Sequence, residues 1–351
     1  MKNAEKQGSN TNGRYPPKLM YSGQDGILFQ GDCLSLLPKI KSDSIDLVFA
    51  DPPFNLGKKY DNEAFTDALG NEAYRSWCQT WLLEIIRTLR PGGSLFLYHW
   101  PKWLIELGHW LNNSKLVEYR SWIAIKMKSG FPIKNRLHPA HYGILHYSKT
   151  GESPSFNVVR HRAPVCRHCG GEIRDYGGYR SKFKKYEDED GIPWIQISDF
   201  WEDTRPARHE KTRQRTIVEL PVIIPERLIL LASNPGDIVL DVFGGSGSTF
   251  HAARLHNRKW IGCDVGDVTN IVRRLKVVFG IEPLQSINST LIDCFNREFV
   301  TQELQEYIDN GRYLMVSEVE ASREEVKYLR NYKSWSRIVN QETQEGNNND
   351  R

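Results

Sequence analysis

The sequence predicts an α/β fold, a doubly wound and mostly parallel sheet carrying an inserted basic segment. Three observations predict it. Short apolar stretches at 27–29, 45–50, 95–98, 122–125, 238–241 and 260–264 alternate with segments of helical periodicity. Two of these stretches run straight into turns rich in proline or glycine, as strands do at the carboxyl edge of a parallel sheet. Between about 128 and 215 the alternation fades into Arg, His, Lys, Gly and Tyr, which marks an insertion of different purpose.

Taken in order, residues 1–24 are rich in Asn, Gly, Lys and Pro without apolar periodicity, and are expected to form a disordered arm. Residues 25–127 form the first half of the sheet domain. The stretch at 45–50 ends abruptly at Asp51-Pro52-Pro53-Phe54. A helix follows, because Tyr74, Trp77, Cys78, Trp81, Leu82, Ile85 and Leu89 recur at three- and four-residue spacing before Arg90-Pro91-Gly92-Gly93 ends it. Pro101 suits the first turn of another helix with Trp103, Leu104, Leu107, Trp110 and Leu111 on one face. Residues 128–215 are the insertion. The second half, 216–280, holds a helix around Pro225, a strand entering Phe243-Gly244-Gly245-Ser246-Gly247, a strand ending at Asp264, and a helix up to Gly280. Residues 281–351 form an acidic extension with a disordered end.

Composition narrows the class. The 351 residues suffice for a large domain with a well-buried core. Mean hydropathy is −0.54, and no run approaches the roughly 20 apolar residues that span a bilayer. The opening Met1-Lys2-Asn3-Ala4-Glu5-Lys6-Gln7 has no apolar core of a secretory signal, and the six scattered cysteines do not resemble a disulfide framework. A soluble, cytoplasmic protein is expected. Net charge is only +4. Its distribution is more informative: 126–215 holds 18 Lys and Arg against 11 Asp and Glu, whereas 281–351 holds 8 against 13. The positive excess lies where a polyanion would be met.

The glycines after Asp241 suit a sharp turn that lets a ligand approach the backbone. Asp264, 23 residues further on and at the end of the next strand, stands where such folds place an acid that accepts hydrogen bonds from ribose hydroxyls. A phosphate-cradling loop is excluded by Ser248 after Gly247, where a lysine is required; a tight turn without ligand is the bland alternative. At the other turn, an amine presents two donors, and the Asp51 carboxylate and Pro52 carbonyl offer two acceptors, while Phe54 can stack on a flat heterocycle. That is chemistry for alkylating an amino group without a cysteine nucleophile. The alternative is an ordinary turn capping a helix.

Together the two segments resemble the amino-methyltransferases of DNA, which modify adenine N6 or cytosine N4. Asp51-Pro52-Pro53-Phe54 matches their catalytic tetrapeptide and Phe243-Gly244-Gly245-Ser246-Gly247 their cofactor motif, with the catalytic motif first, as in the β-type permutation. The resemblance covers roughly 25–280 and implies a sheet of the S-adenosylmethionine-dependent methyltransferase type, with 128–215 as the target-recognition region. It implies that Phe243 packs on the cofactor adenine, that Gly244, Gly245 and Gly247 border its methionine part, that Asp241 binds its amino group, and that Asp264 takes the ribose. Asp32 matches an acidic position near that adenine, although a Gly-Asp pair is equally a turn. Val242 stands where a proline is usual, and Leu220-Pro221 where Lys-Pro is more frequent. An Asp in the first catalytic position leans towards adenine N6, a Ser towards cytosine N4. Similar turns serve glutamine and RNA methyltransferases, but those place the glycine loop first. An inactive DNA-binding module is opposed by the intact Asp51.

The implied partner is double-stranded DNA with the target base flipped out of the stack. A homodimer and a cognate restriction endonuclease are compatible with the family and required by neither motif. Arg160, Arg162, Arg174, Arg180, Arg205, Arg208, Arg213 and Arg215 suit phosphate and base-edge contacts, and Tyr176, Tyr179 and Trp194 suit stacking. Cys166-Arg167-His168-Cys169-Gly170-Gly171 has the spacing of half a zinc knuckle, with His161, His168 or His209 to complete a structural zinc site; two unligated thiols are the alternative.

Overall fold

In the computed structural model the described residues are 15–57, 68–126, 134–135, 137–163, 165–166, 168–169, 187–189, 191–202, 204, 220–280 and 288–305. The chain begins with β1 (Lys18–Ser22), β2 (Gly26–Gln30) and the one-turn α1 (Cys33–Leu36). It continues through β3 (Ile45–Ala50), α2 (Asn71–Thr88), β4 (Leu89–His99), α3 (Pro101–Ser114), β5 (Val117–Lys126) and β6 (His141–Lys149). Three short strands follow, β7 (Arg160–Arg162), β8 (Trp194–Gln196) and β9 (Phe200–Trp201). The second half supplies α4 (Ile223–Ala232), β10 (Ile238–Asp241), α5 (Ser248–Leu255), β11 (Lys259–Asp264) and α6 (Thr269–Phe279).

Nine of the described strands form one sheet in the order β1-β2-β11-β10-β3-β4-β6-β5-β9. Its centre, β2-β11-β10-β3-β4, is parallel throughout. Both faces are covered, and the period-two alternation of strand side chains shows how. On β3, Val48 and Ala50 join the core under α2 and α3, with Trp81, Leu82, Ile85, Trp103, Leu104 and Leu107. Leu47 and Phe49 point the other way, into the core under α4, α5 and α6 with Leu228, Ile229, Phe250, Ile271 and Leu275. The helix expected from Tyr74 onward is α2, and Pro101 occupies the first turn of α3 as expected.

Three features differ from the sequence reading, and a fourth, the packing of the acidic extension, is one that reading left open. Lys18–Ser22, expected in a loose arm, is the edge strand β1, antiparallel to β2 with Leu19, Met20 and Tyr21 buried. Arg90-Pro91-Gly92-Gly93 does not separate helix from strand but lies inside β4, where a bulge in the pairing with β3 and a positive φ at Gly92 absorb the irregularity. His141–Lys149, expected in the insertion, is an interior strand between β4 and β5. Polar-looking His146 disguised it: the ring is buried, stacked on Phe96 at 4.2 Å and bonded to Ser94 at 3.2 Å, and burial pulls its pKa down to about 3. Within the acidic extension, Leu291, Phe295, Phe299 and Leu304 pack on the core, with Phe299 and Phe295 against Phe29. The rest of that extension from 306 onward lies outside the described residues.

One carboxylate stitches the middle of the sheet. Asp46 on β3 accepts from Arg90 Nε of β4 at 2.5 Å through one oxygen and from the Ile238 backbone N–H of β10 at 2.7 Å through the other. Replacing it leaves a part-buried guanidinium and an N–H without their acceptor, a loss of about 2 kcal/mol for charge-assisted bonds of this kind. Asp46→Ala is therefore expected to lower the thermal midpoint by several degrees in calorimetry; an unchanged midpoint would show that the stitch contributes nothing.

Candidate active site

The sheet delivers its functional residues in a row. In the β3–β10 pairing, Val239 lies opposite Leu47 and Leu240 opposite Val48, so continuing the same register sets Phe243 beside Asp51. On the other side of β10, Asp241 lies opposite Gly262, two residues before Asp264. Asp264 in turn lies opposite Gln30, two residues before Asp32. Groups about 190 to 230 residues apart in sequence thus emerge from neighbouring strand ends. From β3 the chain leaves through α2 to β4 on one side; from β10 it leaves through α5 to β11 on the other. That reversal opens the crevice in which ligands of open α/β sheets bind.

The glycine loop is shaped from within. Phe243 N–H donates to Asp241 Oδ1 at 2.9 Å, Gly245 N–H to Asp264 Oδ2 at 2.7 Å, and Gly266 N–H to Asp264 Oδ1 at 2.7 Å. A Cβ on Gly244 would meet the Phe250 ring at 2.9 Å, and one on Gly247 would meet Ile271 at the same distance, so these two glycines serve packing on α5 and α6. Gly245 is different. Like Gly247 at +79°, it has a positive φ, +51°, that favours glycine, but a Cβ there would meet nothing nearer than 3.7 Å, so the loop's open side lies at Gly245.

Asp241 is only 2% exposed, and burial pushes its pKa up to about 7 despite bonds from the Thr249 side chain and the Phe243 N–H. Burial raises Asp264 as well, opposed by the two backbone N–H groups. Two enclosed carboxylates that resist ionising provide a favourable place for a cationic ligand group. Phe243 lies half-buried beside them, its ring 5.0 Å from Trp81 and 6.0 Å from Trp77 in edge contacts. Asp32, just past β2 in the same row, caps α1, Oδ1 accepting from Leu34 N–H at 2.9 Å.

The turn after β3 sits in an aromatic nest. The Phe54 ring stacks on His99 at 4.7 Å and lies 5.7 Å from both Tyr98 and Tyr142, and Trp100 lies 5.7 Å from Tyr142. Burial raises the phenols of Tyr98 and Tyr142, and the negative charge of Asp51 adds to both. Tyr74 of α2 donates its hydroxyl to the Pro53 carbonyl. Asn55, at φ +55°, clamps Leu69 with both ends of its amide, at 2.9 and 2.8 Å. Sequence reasoning missed Tyr74, Tyr98, His99, Trp100, Tyr142 and Asn55 as site residues. Tyr98 and His99 close a strand at the same edge as Asp51, which is the one signal that was available.

Against known proteins, the model of a family described as DNA methylase matches residues 45–269. The chain belongs to the DNA methylase family. It is 44% identical over 251 residues to the type II methyltransferase M.BamHI of Bacillus amyloliquefaciens, a match covering 72% of this chain and 57% of that protein. It is 28% identical to the DNA adenine methyltransferase YhdJ of Escherichia coli K12, covering 73% of this chain and 85% of that one. Among solved structures, the PvuII DNA methyltransferase, described as cytosine-N4-specific, shares the fold with a TM-score of 0.54 at 18% identity, covering 87% of this chain and all of that one.

The segment expected as an insertion is described only in part. Arg162 pairs with Asp188 at 2.5 Å, and Trp194 lies half-buried on β8, which pairs with β7. Arg174, Tyr176, Tyr179, Arg180, Arg205, Arg208, His209, Arg213 and Arg215 lie outside the described residues. Cys166 is half-buried and Cys169 exposed; the Cys166 thiol is held below its usual pKa by the backbone N–H groups of Cys169 and His168 and by the Cys169 side chain. Among the described residues no group of three or more His, Cys, Asp and Glu is assembled to hold a metal, and no helix is long and apolar enough to cross a membrane.

The raised pKa of Asp241 has a measurable sign. A carboxyl whose folded pKa exceeds its unfolded value holds more protons in the folded state, so stability falls as pH rises from about 4 to about 7 and the deficit persists above. Asp241→Asn removes that cost. The thermal midpoint of the variant relative to wild type is expected to be near parity at pH 4, progressively higher up to about pH 7 and level above it; a difference independent of pH would contradict the assignment.

Proposed function

We propose that the chain transfers the methyl group of S-adenosylmethionine to the exocyclic amine of a base flipped from double-stranded DNA, adenine N6 in the first reading. The observation that carries it is the register of β3 against β10, Leu47 opposite Val239 and Val48 opposite Leu240, whose continuation past the strand ends supports an Asp51 turn beside the glycine loop. The residues of that loop suit this cofactor: Gly245 leaves an open side, Asp241 and Asp264 favour a cation and hydroxyl donors, and Phe243 offers an aromatic edge. When bound, the cofactor supplies an electrophilic methyl carbon on a sulfonium.

The chain's own residues do the rest. Phe54, backed by His99 and bordered by Tyr98 and Tyr142, provides a ring on which an extruded base stacks. The Asp51 carboxylate and the Pro52 carbonyl accept the two amine protons, which turns the nitrogen lone pair towards the glycine loop. The Tyr74 hydroxyl occupies the Pro53 carbonyl, so the division of labour between the two carbonyls is definite. After attack, the nitrogen carries one proton too many, and Asp51 is the adjacent acceptor. The order of the motifs, turn first and glycine loop last, supports DNA over glutamine or RNA as substrate.

A second reading, cytosine N4, presents the same pair of donors to the same turn; similarity to YhdJ, named for adenine, supports the first, and the fold shared with the cytosine-N4-specific PvuII enzyme supports the second. M.BamHI and the M.HpaI protein of Haemophilus parainfluenzae are named type II methyltransferases, which supports a restriction–modification role with a cognate endonuclease, in the cytoplasm where the DNA lies. The basic insertion is the surface for phosphate contacts.

The test incubates full-length protein with duplex DNA and methyl-labelled cofactor, then separates the modified nucleosides. Wild type is expected to label DNA as N6-methyladenine, with N4-methylcytosine the outcome of the second reading. Asp51→Ala should lose at least about 100-fold in rate at an unchanged thermal midpoint. Label on protein and none on DNA would overturn the proposal.

A further inference from the structure

His99 closes β4, is fully buried, and is linked to two consecutive residues of the reaction turn, to Phe54 directly and to Pro53 through Tyr74. The Trp100 backbone N–H donates to its Nδ1 at 2.7 Å. An imidazole nitrogen that accepts carries no proton, so the proton of the neutral ring is on Nε2. Nε2 lies 2.7 Å from the Tyr74 oxygen. With that oxygen accepting from the imidazole, the tyrosine hydroxyl proton is directed at the Pro53 carbonyl. One backbone N–H at the start of α3 thus sets the direction of every bond in a chain from Trp100 through His99 and Tyr74 to Pro53. The face of the same imidazole stacks on Phe54 at 4.7 Å and 22° between planes.

We infer that His99 and Tyr74 are positioning residues for methyl transfer, fixing the Pro53 carbonyl and the Phe54 ring so that the turn bearing Asp51 stays in its reacting geometry. The inference rests on the amine-methylation reading and extends it to two residues that act through the turn. A swing of the peptide between Pro53 and Phe54 would move both the stacking ring and the neighbouring Pro52 carbonyl, and the chain of bonds resists that swing. Tyr74 is itself held, its ring 5.6 Å from Trp77 and 4.6 Å from Trp103. Burial pulls the His99 pKa down to about 3, which keeps the ring neutral and the direction of the chain unchanged across the working pH range. A neutral ring with both nitrogens engaged is a fixture, not a proton carrier.

The test compares Tyr74→Phe, which removes only the hydroxyl, with His99→Gln, whose amide brings an N–H donor near the place of Nε2, and His99→Leu, which brings none. Methylation of duplex DNA is followed at steady state, with cofactor affinity from tryptophan fluorescence and folding from thermal midpoints. Tyr74→Phe and His99→Leu are expected to lower kcat at least about 10-fold, with KM for DNA and cofactor Kd within about threefold of wild type. His99→Gln is expected to recover most of the rate, with a pH–rate profile of unchanged shape. Should His99→Leu fail to fold, Tyr74→Phe and His99→Gln decide the matter. Tyr74→Phe within about twofold of wild-type kcat, His99→Gln with its rate lowered at least about 10-fold, or a lost limb in its pH profile would overturn the inference alone. A wild-type protein that transfers no methyl to DNA would overturn the amine reading and this inference with it.

Discussion

Parallel pairing of β3 with β10 governs how the molecule brings its chemistry together. Neither strand is long: six residues in one and four in the other. Their shared direction places two carboxyl ends side by side, and the reversal of chain winding between them opens a crevice. Among the described residues, the candidates from both motifs arrive at that edge. Asp51 leaves β3, Asp241 and Phe243 leave β10, and Asp264 leaves β11. The half-buried carboxylate of Asp46 links β3 to β10 and to β4, so the strands that carry the candidate site are also tied to one another below it.

The two motifs are built on opposite principles. The glycine loop owes its form to backbone N–H groups converging on Asp241 and Asp264, and to glycines that let α5 and α6 approach; its open face is at Gly245. The turn after β3 is rigid through its prolines and through aromatic support from β4, β6 and α2. The proposed binding loop is thus supported from within, and the proposed reaction turn is braced from behind.

Much of this was legible in the sequence. Alternating apolar stretches announced a doubly wound sheet, and an acid at the end of a strand or just past it marked Asp51, Asp241 and Asp264 correctly as edge residues. What escaped was the support. β6 was hidden because His146 and the tyrosines beside it look polar, although the strand is interior and burial pulls the His146 pKa down to about 3. β1 was hidden because Pro16 and Pro17 precede it and only a few buried residues define it. Tyr74 and His99 were hidden because a tyrosine at helical spacing and a histidine after a strand carry no local sign of meeting; the contact is made by tertiary packing of α2 on β4. At Gly244 and Gly247 the sequence did not show the close approach of Phe250 and Ile271, for which these glycines make room.

The proposed chemistry requires one crevice to hold both a methyl donor and the Asp51 turn. A crystal structure of the protein with S-adenosylmethionine is the sharpest check. The sulfonium methyl is expected to point at the Asp51 carboxylate across a gap that seats an amine nitrogen about 3–3.5 Å from the methyl carbon. A cofactor bound elsewhere on the sheet, or a methyl group facing away from Asp51, would refute it.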